Sequence, residues 1–407
     1  MDARPHRTVG ARTYCAHARL SLFAFALLAG CDRAHERWRG PAASGASSQE
    51  RAVVVVESGG DLQAAIEAAA AGGAAGKVVR VRGGTYRPKQ AGQALIWFNA
   101  RHDGLTVEAD GPVVLTAENP EIADRRDPSF PAVVNHVVYF GDGVGPKTVL
   151  RGFTITGANH FVTRSETPGP VQPELPLAKL AKALFFYSDG GGIKVFGRSF
   201  PTLERLVVRD NYASPCAGGL SIEHRGFALG AVTVRDCVFA NNRCEGTGAA
   251  ADVLPGSAAN FENCLFVGNV ANLSVDPVSP EDPYNAEHGS GALTVFEHSR
   301  VRVERCTFTD NWNGVDDKGA DNVYADCLFW RNVRRGGISR GSRYELDILD
   351  ADHVSNCRVG GGVADLRRTI NPVRNLLGSA DPDFDASFEP HARGFEGVGY
   401  RAFRAAQ

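Results

Sequence analysis

Cys237-Val238-Phe239-Ala240-Asn241-Asn242 decides the fold, because it returns. Cys264-Leu265-Phe266-Val267-Gly268-Asn269 repeats it, as do Cys306-Thr307-Phe308-Thr309-Asp310-Asn311 and Cys327-Leu328-Phe329-Trp330-Arg331-Asn332. Leu206-Val207-Val208-Arg209-Asp210-Asn211 is a weaker copy, and Phe153-Thr154-Ile155-Thr156-Gly157-Ala158 an earlier relative. Working outward, a second motif lies between the copies: paired small residues, then an alternating strand. It reads Gly191-Gly192-Ile193-Lys194-Val195, Gly218-Gly219-Leu220-Ser221-Ile222 and Gly291-Ala292-Leu293-Thr294-Val295, with Gly336-Gly337-Ile338 a further candidate.

Self-similarity of this length signals stacked units, none of which can bury its apolar side alone. Equivalent residues of stacked parallel strands lie about 4.8 Å apart, so like side chains form ladders. Phe ladders stack rings in a core. Asn ladders hydrogen-bond to one another and to the turn backbone. The expected fold is all-β: a single-stranded right-handed parallel β-helix. Cysteine has two readings, disulfides of an exported protein or small buried filler. Cys237, Cys264, Cys306 and Cys327 share one repeat phase with Leu206, which favours filler, and none has the Cys-x-x-Cys spacing of a zinc site. The Leu-x-x-Leu-x-Leu consensus of leucine-rich repeats is absent.

The alternation of Phe-x-x-Asn with Gly-Gly-x-Ile resembles the repeat of polymorphic outer-membrane proteins. More broadly it resembles the superfamily of right-handed parallel β-helices with the pectate-lyase-like fold. Val78-Val79-Arg80-Val81-Arg82-Gly83-Gly84-Thr85-Tyr86 looks like the first coil of that superfamily, where a helix caps the N-terminal end. Asp61 followed by Leu62-Gln63-Ala64-Ala65-Ile66-Glu67-Ala68-Ala69-Ala70 fits such a short capping helix, Asp61 serving as N-cap. Polymorphic outer-membrane proteins end in a membrane barrel. Here the stretch around Asp381-Pro382-Asp383-Phe384 is irregular and too short for one, so autotransport is not expected. The expected layout is a leader over 1–31, a tether over 32–52, the β-helix over 53–360 and an irregular C-terminal cap over 361–407.

The leader is read from Arg7, Arg12 and Arg19, then an apolar run from Leu20 to Leu28, then Ala29-Gly30-Cys31. A basic region, a short apolar region and small residues mark a secretory signal, too short to span a bilayer as a mature helix. The Leu-Ala-Gly-Cys ending resembles the lipobox of bacterial lipoproteins, which implies lipid on Cys31 and a cell-envelope location. Pro41-Ala42-Ala43-Ser44-Gly45-Ala46-Ser47-Ser48 reads as flexible spacer. The 407 residues carry a net charge of −2, which gives no basic face for nucleic acid. A monomer is expected.

Insertions in repeat proteins tend to share the binding face. Residues 160–188 and 272–288 both leave after the Asn motif and before the next strand, hence at one corner. Aligning the neighbouring strand by inward Val195, Ile222, Val253 and Val295 stacks Lys194, Ser221, Asp252 and Thr294 outward. Phe196, Glu223, Leu254 and Phe296 form the next column, and the following coil adds Asp316, Asp317 and Lys318. Rings stack on sugar faces, and carboxylates accept hydroxyl hydrogen bonds or hold calcium, the one candidate cofactor. Each residue also has a plain reading: Asp316-Asp317-Lys318 as a solvated turn, and Phe196 and Phe296 as covered by the insertions.

Two functions stay open. One is a non-catalytic envelope lipoprotein with a glycan groove formed by Phe196, Glu223, Phe296, Asp316 and Asp317. The other is a lyase or hydrolase of an acidic polysaccharide, an inference from fold analogy. A lyase would use Lys194 or Lys318 as base, with Asp252 near a neutralising cation. A hydrolase would need two opposed carboxylates.

Overall fold

The structure, a computed structural model, describes residues 52–163, 184–273, 291–333, 344–348, 352–361, 364–366, 375–378 and 380–403. Cys31, the leader, nearly all of the tether and Gly336-Gly337-Ile338 lie outside these residues. The described residues all belong to one compact unit.

The chain is a parallel β-helix. One sheet has nine strands, from Gly92–Phe98 through Ile193–Phe196, Leu220–Glu223 and Ala251–Val253 to Ala364–Leu366, each beside the strand one coil away. A second sheet has seventeen strands and carries the Phe-x-x-Asn repeat. Val207–Arg209, Val238–Ala240, Leu265–Val267, Thr307–Thr309 and Leu328–Trp330 stack there in parallel register.

The corners explain the variable positions of the repeat. In successive coils one residue turns the chain within the large sheet: Arg205, Asp236, Asn263, Arg305, Asp326 and Asn356, with φ between 50° and 54°. A second such column follows the Phe strand at Asp210, Asn241, Gly268, Asp310, Arg331 and Gly361. Asn, Asp and Gly are the residues that enter left-handed backbone at least cost, so two one-residue corners shape each coil.

The core is built of ladders. Phe239, Phe266, Phe308 and Phe329 stack face to face, with centroid distances of 5.1, 4.3 and 5.1 Å. Stacked rings contribute about 0.5–1.5 kcal/mol per pair beyond their buried area. Cys237, Cys264, Cys306 and Cys327 are buried free thiols bonded to backbone carbonyls, as filler should be. Cys357 adds a fifth rung that the repeat pattern did not reveal. Asn211 Nδ2 donates to Asn242 Oδ1 (3.1 Å), and the row continues through Asn269, Asn311 and Asn332 at 3.1, 2.9 and 2.8 Å. Each of these amides also donates to a carbonyl of the preceding coil, for example Asn269 Nδ2 to Phe239 O at 2.9 Å. The row ends on the buried carboxylate of Glu345, which takes both the side chain and the backbone N–H of Asn332.

The N-terminal end is closed by the helix Leu62–Ala70, capped by Asp61 through Ala64 N (3.0 Å), with Leu62, Ile66 and Ala69 against the core. At the other end the coiling passes residue 360. Ala364–Leu366 pairs with Tyr344–Ile348, and Leu376–Leu377 with Arg358–Gly360. Residues 380–403 then fold back along the side of the large sheet rather than only over its end. Phe395 and Val398 pack on Leu328 and Trp330, and Arg401 exchanges two hydrogen bonds with Asn263. Among the described residues, no helix is long and apolar enough to cross a membrane.

Candidate functional site

The register of the nine-stranded sheet places Lys194, Ser221, Asp252 and Thr294 in one outward column. The column extends to Tyr139 and Trp97 on one side and to Asp316 and Asp347 on the other. The face is sealed rather than open. Lys194 has no exposed surface. Its Nζ donates to Asp189 Oδ1 (2.7 Å), Glu223 Oε2 (2.7 Å) and Ser221 Oγ (3.1 Å). Ser221 Oγ in turn donates to Asp189 Oδ2 at 2.8 Å, and Arg225 holds the other oxygen of Glu223 at 3.1 Å. Burial opposes a charge on Lys194, but Asp189 and Glu223 outweigh it and raise its pKa. An ammonium held this way keeps its proton, so Lys194 does not suit the base role expected of it.

Asp252 is also fully buried. Its Oδ2 accepts from Thr247 Oγ1 (2.9 Å), while Oδ1 has no partner. Burial pushes its pKa up to about 8, against weaker opposing hydrogen bonds, so it is largely protonated at neutral pH.

The other residues expected on this face separate. Phe196 is 2% exposed and packs edge-on against Phe186 at 4.7 Å, in an aromatic cluster with Tyr139 and Tyr187. It has no free ring face for a sugar. Phe296 is buried beneath Lys318, whose Nζ lies 5.0 Å from the ring centroid. Asp316 stays in the outward column, buried, and accepts from Tyr344 Oη at 3.1 Å. Asp317 requires a correction. It pairs with Val295, an inward rung, and faces the interior, where Tyr324 Oη, Asn322 Nδ2 and Gly319 N each donate to it at 2.8 Å. It therefore fastens a corner from inside and binds nothing on the outer face.

The carboxylates expected to hold calcium do not converge among the described residues. The one group of three metal-competent side chains there is Asp385, Glu389 and His391, on the C-terminal segment, with ligand atoms within 4.8 Å of one another. His391 Nε2 lies 3.2 Å from Asp385 Oδ2, and Glu389 Oε1 accepts from Ala402 N.

An open groove lies around the corner. Its volume is about 670 Å³ and it crosses successive coils, lined by Glu118, Asn159, Asp210, Tyr212, Asn241 and Arg243. Asn159, next to the first insertion, and Leu273, at the start of the second, both line it, so the groove adjoins the corner that the insertions share. Tyr212 and Arg243 are register partners on adjacent short strands. Partial burial raises the pKa of Tyr212, and the hydrogen bond that its Oη donates to Glu245 adds to this. His160, at φ 54°, packs its ring edge-on at 6.1 Å from that of Tyr212. The repeat pattern passes over these residues because they lie in and beside the short strands Tyr212–Ala213 and Arg243–Cys244, between the two recurring motifs. The signal that could have found them is the shared corner itself.

No protein-family profile matches the chain, and no curated protein matches it. Among solved structures, a pectate lyase aligns over 88% of this chain and 90% of its own, at 14% identity and a TM-score of 0.42. An alginate lyase of the PL6 family aligns over 86% of this chain and 56% of its own, at 12% identity and a TM-score of 0.26. At these values the fold stands on the strand register described above.

Proposed function

We propose that this protein is a lipid-tethered component of a bacterial cell envelope that binds a polysaccharide along the corner groove. The observation that carries the reading is the groove itself: open and polar, crossing several coils, with Tyr212 and Arg243 side by side. A tyrosine ring offers a flat apolar surface to a sugar, while amides, carboxylates and a guanidinium offer hydrogen bonds to its hydroxyl and acid groups. Coils stacked about 4.8 Å apart present a periodic surface to a periodic polymer. The sealed column around Lys194 offers none of this. The tether rests on the Leu28-Ala29-Gly30-Cys31 signal, and calcium is kept as a variable of the binding reaction.

The test is affinity electrophoresis of residues 32–407, which contain the compact unit, through gels of acidic and neutral polysaccharides with and without calcium. Retardation by at least one polymer is expected. Tyr212→Ala and Arg243→Ala should each weaken it by about tenfold, equivalent to roughly 1.4 kcal/mol. Lys318→Ala should leave it unchanged. Migration unaffected by every polymer, or retardation indifferent to both groove variants, would sink the proposal.

A further inference from the structure

We infer that Lys194 and Asp189 condense into an intramolecular amide, with Glu223 as proton carrier, so that the sealed face carries a covalent side-chain bond. The ion pair described above is the reactant of this step, and water is its only by-product. A cluster closed to every outside substrate holds both of its own. The inference is independent of what the corner groove binds.

Proximity comes first. Lys194 Nζ lies 2.7 Å from Asp189 Oδ1 and 2.7 Å from Glu223 Oε2. Each partner is fixed from a different direction. Lys194 and Ser221 are register partners on adjacent strands, as are Phe196 and Glu223. Asp189 follows the short helix Leu184–Ser188, and the backbone on both sides of it is clamped. The ring nitrogens of His136 lie 3.0 Å from Phe186 O and 3.0 Å from Gly190 O. Gly190 N and Gly191 N both donate to Ala217 O, at 2.9 and 3.1 Å. Well-oriented intramolecular groups react with effective molarities of up to about 10⁵–10⁸ M, against which the water that would reverse a condensation is dilute.

The medium comes second. Lys194, Asp189 and Ser221 have no exposed surface, and Glu223 is buried. Tyr139, the register partner of Lys194 on its other side, belongs with Phe186, Tyr187 and Phe196 to a buried aromatic cluster. Away from water an ion pair is costly to keep, and the uncharged amine and acid, or the amide made from them, cost less. Burial raises the pKa of Asp189; Lys194 opposes this and Glu223 adds to it, so the carboxyl leans toward the neutral acid that an amine attacks. The two carboxylates also differ in company. Lys194 is the one ion-pair partner of Asp189 among the described residues, whereas Glu223 also holds Arg225 at 3.1 Å. That difference assigns Asp189 as the acyl group and Glu223 as the base.

Proton chemistry comes third. Lys194 gives no proton to solvent; its protons move within the cluster. One passes along the hydrogen bond to Asp189 Oδ1. The Nζ lone pair then attacks Asp189 Cγ, and the C–N bond forms. Ser221 Oγ donates to Asp189 Oδ2 at 2.8 Å, and so holds the oxygen on which negative charge gathers. Glu223 takes the second proton from Nζ and passes it to Oδ1. The Cγ–Oδ1 bond breaks, and Oδ1 leaves as water. The third proton stays on the amide nitrogen, and Glu223 is regenerated. No oxidant, reductant or co-reactant enters. The product ties the residue that follows Leu184–Ser188 to the strand Ile193–Phe196. Phe186 is thereby fastened across Phe196 by a bond rather than by a charge.

The experiment measures the intact mass of residues 32–407, purified folded and then denatured, followed by tryptic peptide mapping. The wild-type mass is expected to fall short of the sequence mass by one water. Trypsin should not cut after Lys194, so one peptide should run through Lys194 to Arg198 with that water missing. Asp189-Gly190 can also lose water, by closing to a cyclic imide. Hydroxylamine opens the imide, which leaves Lys194 cleavable, whereas the amide survives hydroxylamine and blocks the cut. Lys194→Arg and Asp189→Ala should each have their full sequence mass. Glu223→Gln keeps the side-chain volume and should slow the condensation by about a hundredfold, in the range for loss of a general base. Full-mass Glu223→Gln protein should therefore be caught on purification and lose water on storage. A folded wild type at full mass overturns the proposal, whatever the variants do. Water loss that hydroxylamine reverses, or that is found in a peptide ending at Lys194, overturns it too. A bond from Lys194 to Glu223 overturns the choice of acyl group. Condensation at wild-type speed in Glu223→Gln overturns the proton carrier.

Discussion

On the outer face of the nine-stranded sheet, the Lys194 ammonium sits 2.7 Å from each of two carboxylates and meets no solvent. One corner away, the Arg243 guanidinium lines an open groove with no ion-pair partner among the described residues. Both regions join a cation, carboxylates and aromatic rings. What differs is water. Around Lys194 the absence of water makes every charge depend on its neighbours, so the cluster is costly to disturb and poorly placed to meet a substrate. Around Arg243 the charge is solvated, and its loss should be felt by a bound anion more than by the fold. Residue type alone therefore does not mark a site in this protein.

The largest expected effect comes from the sealed side. Lys194→Met takes away the cation between the buried carboxylates of Asp189 and Glu223, of which Glu223 keeps Arg225, and should destabilise the fold by about 3–5 kcal/mol in denaturant titration. A change below about 1 kcal/mol would mean that the cluster is wetter than its burial implies, and would return Lys194 to the list of accessible groups.

Next is the response to pH. The folded-state pKa of Asp252 is raised, so protonated Asp252 favours the fold. That contribution is complete below about pH 4, the range of an unfolded aspartate, and is lost as pH rises through about 8. Asp252→Asn removes this loss, so its stability should fall less than that of wild type between pH 5 and 9 in thermal melts. Parallel curves for the two proteins would show that the carboxyl reaches water or a partner.

The smallest effect tests the open side. Arg243→Ala should shift stability by no more than about 0.5 kcal/mol, as for an exposed surface substitution. A loss above about 2 kcal/mol would make Arg243 a structural residue and erase the contrast with Lys194.

The fold was legible because a β-helix writes its spacing into the chain. Phe239, Phe266, Phe308 and Phe329 recur in one phase because they stack on one another, and Asn242, Asn269, Asn311 and Asn332 because each bonds to the next. The outward column of Lys194, Ser221, Asp252 and Thr294 was legible for the same reason, since inward Val195, Ile222, Val253 and Val295 fix its register. Asp317 was misplaced because a carboxylate was read as solvent-facing. Strand alternation from Val315 sets it inward, and only the donors Tyr324 and Asn322 make that position tolerable. Burial of the face was legible only as an alternative, the covering of Phe196 and Phe296 by the insertions, and Phe186 of residues 160–188 does lie against Phe196. It depends on what covers the strands, such as Phe186 across Phe196, and segments between repeats carry no period. His160 and Tyr212 escaped for that reason too, being brought together by coil stacking and marked by no motif.

The asparagine row has a direction. Every amide from Asn211 to Asn332 donates toward the C-terminal end, and Glu345, which can only accept when ionised, stands last. Such a row behaves as a tally with a stop mark. A duplicated coil that brought its own asparagine could enter anywhere before Glu345 and leave every donor matched. The same coil placed after it would have to begin a new row. Glu345 thus marks how far along the row a coil can be added with every donor matched, while the coiling itself runs on beyond it.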